Sequence, residues 1–300
     1  MPKSPRSKTK VTRVTRALLR RSPLPKPSSD GDKDERGKVL VVGGEVAIPG
    51  ALVLAGIAAL RAGAGKLQMA TCKSIAPTVG VSVPEAMTIG LDETGEGTIS
   101  PKSASRLTDL IEKADAILIG PGMSGSQSES RFVENAVESN LTTPLIIDAG
   151  ALDVLRHSPR ALHHLDGRAV VTPHALEMAR MLNCEIGDVK ADPKSTALRA
   201  AEEFQCVVAL KGSRTFIATP GQTVYCYDAG DVGLATSGSG DTLAGVVAGL
   251  LARGATPLHA TMWAVFLHGE AGNRLAKKLG RIGYLARELL DEIPPLMNAI

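Results

Sequence analysis

Aromatic side chains are scarce: Phe, Trp and Tyr make up 3% of the 300 residues, with a single Trp. So few rings argue against the stacking platforms on which single-stranded nucleic acid is read. Cysteine is sparse too. Cys72, Cys184, Cys206 and Cys226 stand far apart with no C-x-x-C pair. That is the usage of reduced thiols in a cytoplasmic protein, without a zinc site or a disulfide framework. No apolar run is long and uninterrupted enough to read as a membrane span, and no hydrophobic signal-peptide core follows the basic start. The six histidines lack metal-ligand spacing, and His163-His164 reads as a solvated turn. Neither G-x-S-x-G nor G-x-x-x-x-G-K-[ST] occurs, which removes support for a serine-hydrolase elbow and for a Walker loop.

The net charge of +3 is unevenly placed. Residues 1–29 hold nine Lys or Arg and no acid, so the remaining 25 bases against all 31 acids leave the body at −6. A mildly acidic body is a poor general nucleic-acid binder. Residues 1–10 read as a disordered basic tail, and the Arg-rich start leaves organellar targeting open. A short helix is expected from about Val11, and Pro23, Pro25 and Pro27 read as a linker.

With 44% hydrophobic residues and 31 glycines, the chain can bury a large core and turn often. Val39–Val42 reads as a strand, 51–62 as a small-residue helix and 66–71 as a strand. This β-loop-α-β unit predicts a mostly parallel α/β sheet flanked by helices. Further strands are expected at 116–120, 144–148 and 169–172, with helices at 131–138 and 177–182. Segments 207–211, 215–218 and 224–227 read as strands with local antiparallel pairing. Helices follow after Gly240, over 258–279 and over 285–291. No internal repeat or second core is visible, so 11–300 reads as one domain.

The chain is organised around GLATSGSGDTLAGVVAGLLARG, 233–254. A loop of Gly, Ser and Thr becomes an apolar helix, and Leu243, Val246, Val247, Leu250 and Leu251 recur at helical spacing. Such a turn presents first-turn amides and the positive end of a helix dipole, which suits a phosphate. Asp241, at the helix entrance, reads either as a helix-start residue or as a base for a hydroxyl in phosphoryl transfer.

Gly120-Pro121-Gly122-Met123-Ser124-Gly125 matches G-x-G-x-x-G after a strand, but it lies mid-chain and contains a proline. It reads as a strand-end turn whose bare backbone approaches a ligand. Thr172-Pro173-His174-Ala175-Leu176-Glu177 opens a helix, where Glu177 is either a capping residue or a site residue. Lys211-Gly212-Ser213-Arg214-Thr215 is either a hairpin turn or a strand-end phosphate contact. Asp148 also ends a strand, where α/β proteins place their chemistry.

In order, these segments resemble the ADP-dependent NAD(P)H-hydrate dehydratases of the ribokinase-like superfamily. VVGGEVAIPGALVLAGIAALRAGAGKLQMAT, IGPG, PLIIDAGAL, VVTPHALEMARML, VVALKGSRT, GLATSGSGDTLAGVVAGLLARG and AVFLHGEAG carry the match, from roughly Val11 to Pro295. The resemblance implies repair of NADHX and NADPHX, nicotinamide cofactors carrying an added water. The C6 hydroxyl is phosphorylated from ADP or ATP with Mg²⁺, and phosphate then leaves. By position, Asp241 would be the base. Ala51, Gly122 and His174 would contact the hydrated cofactor, and Lys211, Gly212, Ser213, Arg214, Thr215 and Gly240 the nucleotide. Gly238, Ser239 and Gly240 would form the anion hole. Glu177 would stand near Mg²⁺ through water.

Relatives of this kind are often homotetramers, and no nucleic acid or membrane partner is implied. Without a fused epimerase domain the chain would act on the S epimer, beside a separate epimerase. Three departures stand out: TPHALE for TPHPGE, ATSGSGD for ATGGSGD, and Gly44-Glu45 for Gly-Ser. A superfamily kinase for a small alcohol would use the same Asp241 and anion hole. A binding protein with a decayed site is the third reading.

Overall fold

The computed structural model describes residues 11–26, 32–139, 142–221 and 223–300. The basic segment 1–10 and Pro27 lie outside the described residues.

Ten strands form one sheet: β1 (Val11–Arg13), β2 (Lys38–Val42), β3 (Lys66–Cys72), β4 (Ala86–Leu91), β5 (Ala116–Ile119), β6 (Leu145–Ile147), β7 (Ala169–Val171), β8 (Val207–Leu210), β9 (Thr215–Thr219) and β10 (Thr223–Tyr227). Their spatial order is β1-β10-β9-β8-β7-β6-β5-β2-β3-β4. β9 runs antiparallel to β8 and β10, and the other pairings are parallel. The mostly parallel α/β sheet with a small antiparallel part is as the sequence predicts.

Both faces are covered, which is why the central strands read as unbroken apolar runs. Val39, Val41, Ala116 and Leu118 enter one core; their neighbours Leu40, Val42, Ile117 and Ile119 enter the other. Each buried Val, Leu or Ile of this kind contributes roughly 1.5–3 kcal/mol. Helices Pro49–Arg61, Ser239–Ala252, Pro257–Leu279 and Ala286–Asn298 pack on the first core. Helices Gln127–Glu138, Ala175–Met181 and Pro193–Phe204 pack on the second. Gly245 and Gly249 admit the neighbouring helix closely: an added Cβ would lie 2.2 Å from the Ala55 carbonyl oxygen and 2.3 Å from that of Ala59. The small residues of these two helices are thus used against each other.

The structure differs from expectation in several places. Val11 begins a strand beside β10, and the first helix is Arg16–Arg21, capped by the Thr15 hydroxyl. Alternating β-branched residues suit the sheet better than a helix there. The stretch read as a linker is pinned: Trp263 Nε1 donates to Ser22 O at 2.9 Å and Arg253 Nη2 to Pro25 O at 3.0 Å. The helix expected from Arg131 starts at Gln127, because its first turn is a polar capping box of Ser126 and Glu129 with no apolar periodicity. Helix Ala76–Ser82, strand β4 and helix Pro193–Phe204 lie in segments that periodicity left unassigned. The last helix runs past Asp291 to Asn298 despite Pro294 and Pro295.

From β2 the chain winds through β3 and β4 in one direction and through β5 to β8 in the other. The carboxyl ends of the strands at such a reversal leave a crevice for ligands.

Candidate active site

β6, β7 and β8 deliver the polar residues of the crevice. Asp148, just past β6, is 2% exposed, and its Oδ1 accepts from Thr172 Oγ1 at 2.7 Å and Lys211 Nζ at 2.9 Å. The Lys211 amide donates to Pro173 O at 2.8 Å, and a parallel bridge between His174 and Lys211 extends the β7–β8 ladder. Lys211 Nζ is also 3.9 Å from Glu177 Oε2. Burial opposes the Lys211 ammonium, but Asp148 and Glu177 outweigh it and hold its pKa above the usual lysine value.

His174 caps helix Ala175–Met181. Its Nδ1 accepts from the amides of Leu176 and Glu177, both at 3.2 Å, while Glu177 Oε2 accepts from the His174 amide at 2.7 Å. Nδ1 therefore carries no proton, and a neutral ring keeps its N–H on Nε2. TPHALE retains the reciprocal cap without the Pro and Gly of the usual motif. Burial pushes the Glu177 pKa up, with Asp148 adding to the effect and Lys211 opposing it. Capping leaves Glu177 beside Lys211 and puts His174 in the wall of a cavity.

Asp241 lies in the first turn of helix Ser239–Ala252. Burial pushes its carboxyl up to about 7, with repulsion from Asp148 and Glu177 adding and Lys211 opposing. A carboxylate in that range changes charge near neutrality, as a general base should. Gly238 makes the turn into this helix with φ +84, whereas Ser237 is absent from the positive-φ residues. Ser237, which stands where the usual motif has glycine, is therefore not strained; the positive-φ position falls one residue later. Of the three residues expected to form an anion hole, Ser239 has its amide engaged by Thr236 O at 3.2 Å. The Gly240 amide lies in the first turn, where amides have no intrahelical acceptor. Gly240 itself is bare toward the ion pair: an added Cβ would lie 3.2 Å from Lys211 Nζ.

A cavity of about 720 Å³ opens beside this turn, lined by His174, Lys211, Gly212, Ser213, Thr215, Ser239 and Gly240. Arg214 is outside the lining, its guanidinium 5.3 Å from the Phe216 ring centroid. Glu177, Gly238 and Asp241 are outside the lining too, as are Ala51 and Gly122. The last two meet each other: an added Cβ on Gly122 would lie 3.3 Å from Ala51 Cβ. One turn along that helix Leu54 abuts Gly238, so this second contact zone adjoins the Asp241 turn. Glu45 Oε1 accepts from the Ser124 amide at 2.6 Å and so ties the two glycine-rich loops together.

Sequence reasoning left several cavity residues unassigned. Tyr227 donates its hydroxyl to Glu270 Oε1 at 2.9 Å, and Asp231 pairs with Arg281 at 3.0 Å at the far end. His268 bonds Ser239. His268 lies within AVFLHGEAG, and Asp148 ends a strand; both were visible as motifs without a role.

No group of three or more His, Cys, Asp or Glu among the described residues could cage a metal ion. The carboxylate beside Lys211 is Glu177, 3.9 Å from Nζ; a single carboxylate is what an ion such as Mg²⁺ uses when it keeps its waters and leans on substrate phosphates.

A family model described as NAD(P)H-hydrate dehydratase matches residues 39–295. The ADP-dependent (S)-NAD(P)H-hydrate dehydratase of Xanthomonas campestris pv. campestris is 45% identical over 97% of this chain and 98% of its own. A crystal structure of a ribokinase-like superfamily protein from Enterococcus faecalis superposes with TM-score 0.84 at 25% identity, covering 99% of each chain. The Bacillus subtilis ADP/ATP-dependent NAD(P)H-hydrate dehydratase, co-crystallised with ATP/Mg²⁺, gives TM-score 0.81 at 29% identity over 96% of this chain and 98% of that one.

Proposed function

This chain belongs to the NAD(P)H-hydrate dehydratase family, and from that premise we propose that it dehydrates the S epimer of NAD(P)HX to NAD(P)H at the expense of ADP, releasing AMP and phosphate. The observation that carries the reading is Asp241. A carboxyl brought to about 7 sits one residue from the bare Gly240, which lines the cavity together with Lys211.

Hydroxide is a poor leaving group, so the C6 hydroxyl has first to be phosphorylated. Asp241 takes its proton as the oxygen attacks the terminal phosphorus of ADP, and the bond to AMP breaks. The C6–O bond then breaks with phosphate leaving, and loss of the C5 proton restores the ring double bond. The Gly240 amide and the helix N-terminus face the charge of the transferred group. Lys211, Gly212, Ser213 and Thr215 border the nucleotide, with Arg214 outside the wall. Ala51, Gly122 and His174 hold the hydrated cofactor. Glu177 would hold Mg²⁺ through water; when bound, the ion offsets phosphate charge.

The same proposal takes 11–300 as one functional domain, supported by a single sheet running from β1 to β10. The R epimer would need a separate epimerase, and a homotetramer is proposed on the resemblance alone, to be read by sedimentation velocity.

The test is recovery of NADH from S-NADHX with Mg²⁺ and ADP, ATP or no nucleotide. Recovery with ADP and stoichiometric phosphate is expected. A phosphorylated product without NADH would instead support a small-alcohol kinase. Binding of nucleotide with no turnover of any substrate would support a decayed site.

A further inference from the structure

His268, on helix Pro257–Leu279, reaches across to the first turn of helix Ser239–Ala252. Its Nε2 is 2.9 Å from Ser239 Oγ and 3.0 Å from Ser239 O. A carbonyl oxygen can only accept, so the contact to Ser239 O requires the proton on Nε2. Burial, with Lys211 adding to it, depresses the His268 pKa to about 4, so at neutral pH the ring carries one N–H. Placed on Nε2, that N–H is shared by the carbonyl and hydroxyl of the same serine. Ser239 Oγ is then an acceptor toward His268, and its own proton has to go elsewhere. Among the described residues, no other protein partner takes it. Ser239 is only 4% exposed, and it and His268 both line the 720 Å³ cavity. The Ser239 amide is already engaged by Thr236 O, so the hydroxyl is what this residue can offer an anion.

We propose that His268 is a positioning residue that fixes the Ser239 hydroxyl as a donor to a phosphate oxygen of the nucleoside diphosphate bound in this cavity. The inference rests on the nucleotide reading above and assigns a role to a histidine and a serine side chain that the backbone anion hole leaves unused. With one lone pair of Oγ held by the His268 N–H, the hydroxyl proton points away from the imidazole and is available to an acceptor such as a phosphate oxygen.

The experiment measures binding of ADP and of adenosine by calorimetry to wild type, Ser239→Ala, His268→Leu, His268→Gln and the Ser239→Ala/His268→Leu pair. Loss of a hydrogen bond to a charged group predicts an ADP Kd raised about tenfold or more by Ser239→Ala and by His268→Leu. The double variant is expected to be no weaker than the weaker single, because both remove one donor. His268→Gln, whose amide N–H can replace Nε2–H, is expected to stay within about threefold of wild type. Adenosine, lacking phosphate, is expected to bind all of them alike.

ADP affinity unchanged in Ser239→Ala, additive losses in the pair, or a parallel fall in adenosine binding would each overturn the inference. If His268→Leu does not fold, Ser239→Ala and His268→Gln decide it. A wild type that binds neither ADP nor ATP overturns the nucleotide reading and this one with it. A wild type that binds ADP no better than Ser239→Ala overturns this one alone.

Discussion

Lys211 Nζ stands 2.9 Å from Asp148 Oδ1, with the carboxylate 2% exposed and the lysine side chain 20% exposed. The ammonium therefore serves the fold as well as any ligand, since it neutralises a carboxylate that is out of water. Removing one partner of a buried pair leaves the other uncompensated, at about 3 kcal/mol or more. Lys211→Ala is expected to lower the denaturation free energy on that order and to raise the ADP Kd at least tenfold. Because the Lys211 pKa is raised above its unfolded value, this stabilisation is fully present at neutral pH and is lost only above the lysine range. Chemical denaturation and calorimetry at pH 7 read both quantities; an unchanged ADP Kd would remove Lys211 from the nucleotide site.

Asp241 must be ionised to act as a base, and its pKa is about 7. The rate kcat/KM is therefore expected to rise with pH through a midpoint near 7. Lys211 lowers this pKa and Asp148 raises it. Lys211→Met should move the midpoint up and Asp148→Asn should move it down. Asp241→Asn should lower kcat by about a hundredfold or more. Stability runs the other way. The folded-state pKa lies above the ordinary aspartate value, so the folded chain binds the extra proton. The stability contributed by protonated Asp241 is complete below about pH 4 and lost as pH rises through about 7. Melting of Asp241→Asn should exceed wild type at pH 8 and match it at pH 4. Midpoints that both variants move in one direction would refute the assignment.

Gly240 is a helical residue, and its φ is not in the left-handed region. Backbone freedom does not explain it; the close approach of Lys211 Nζ, 3.2 Å from where a Cβ would stand, does. Gly240→Ala should gain at most about 0.5–1 kcal/mol of helix propensity, offset by the displacement of Lys211 Nζ that a methyl 3.2 Å away requires. The added methyl would occupy the place a phosphoryl group needs, so kcat/KM should fall at least tenfold. Thermal melting and steady-state rates on one preparation test this. Full activity retained in a folded variant would show that the phosphoryl group lies elsewhere.

Much of this arrangement is readable from residue order. Unbroken runs such as Val39–Val42 and Ala116–Ile119 give buried parallel strands because both sheet faces are covered. Gly238-Ser239-Gly240-Asp241 announces a turn into a helix with a carboxylate beside it. Other features depend on long-range contacts. β1 becomes a strand only because β10 offers it an edge, from 213 residues downstream at Val11 and Val224. His268 meets Ser239 across two helices, and Asp148 gains its meaning from Lys211, 63 residues later. Nothing in local periodicity specifies those encounters. Polar first turns, as at Gln127–Glu129, hide helix starts from an apolar pattern for the same reason.

The loop beside Gly122 is held by a carboxyl pair that makes a last prediction. Glu129 is fully buried, and its Oε2 accepts from the amides of Gly125 and Ser126, both at 3.0 Å. Its Oε1 has no hydrogen-bond partner, while Glu45 lies against the same group and accepts from the Ser124 amide. Burial, with the nearby Glu45 charge adding to it, raises the Glu129 pKa. The folded chain thus holds a proton that the unfolded chain releases above the ordinary glutamate range, and stability falls as pH rises through the raised value. Glu129→Gln keeps an acceptor for the two amides and supplies a permanent N–H toward Glu45. Its melting temperature is expected to exceed wild type at pH 8, with the difference shrinking as pH falls toward about 4.5, where wild-type Glu129 is protonated. Glu45→Gln, which removes the repelling charge, should flatten the wild-type profile in the same direction. Melting curves from pH 4.5 to 8 decide the matter: a Glu129→Gln protein less stable than wild type at pH 8 would mean that the buried group works as an anion.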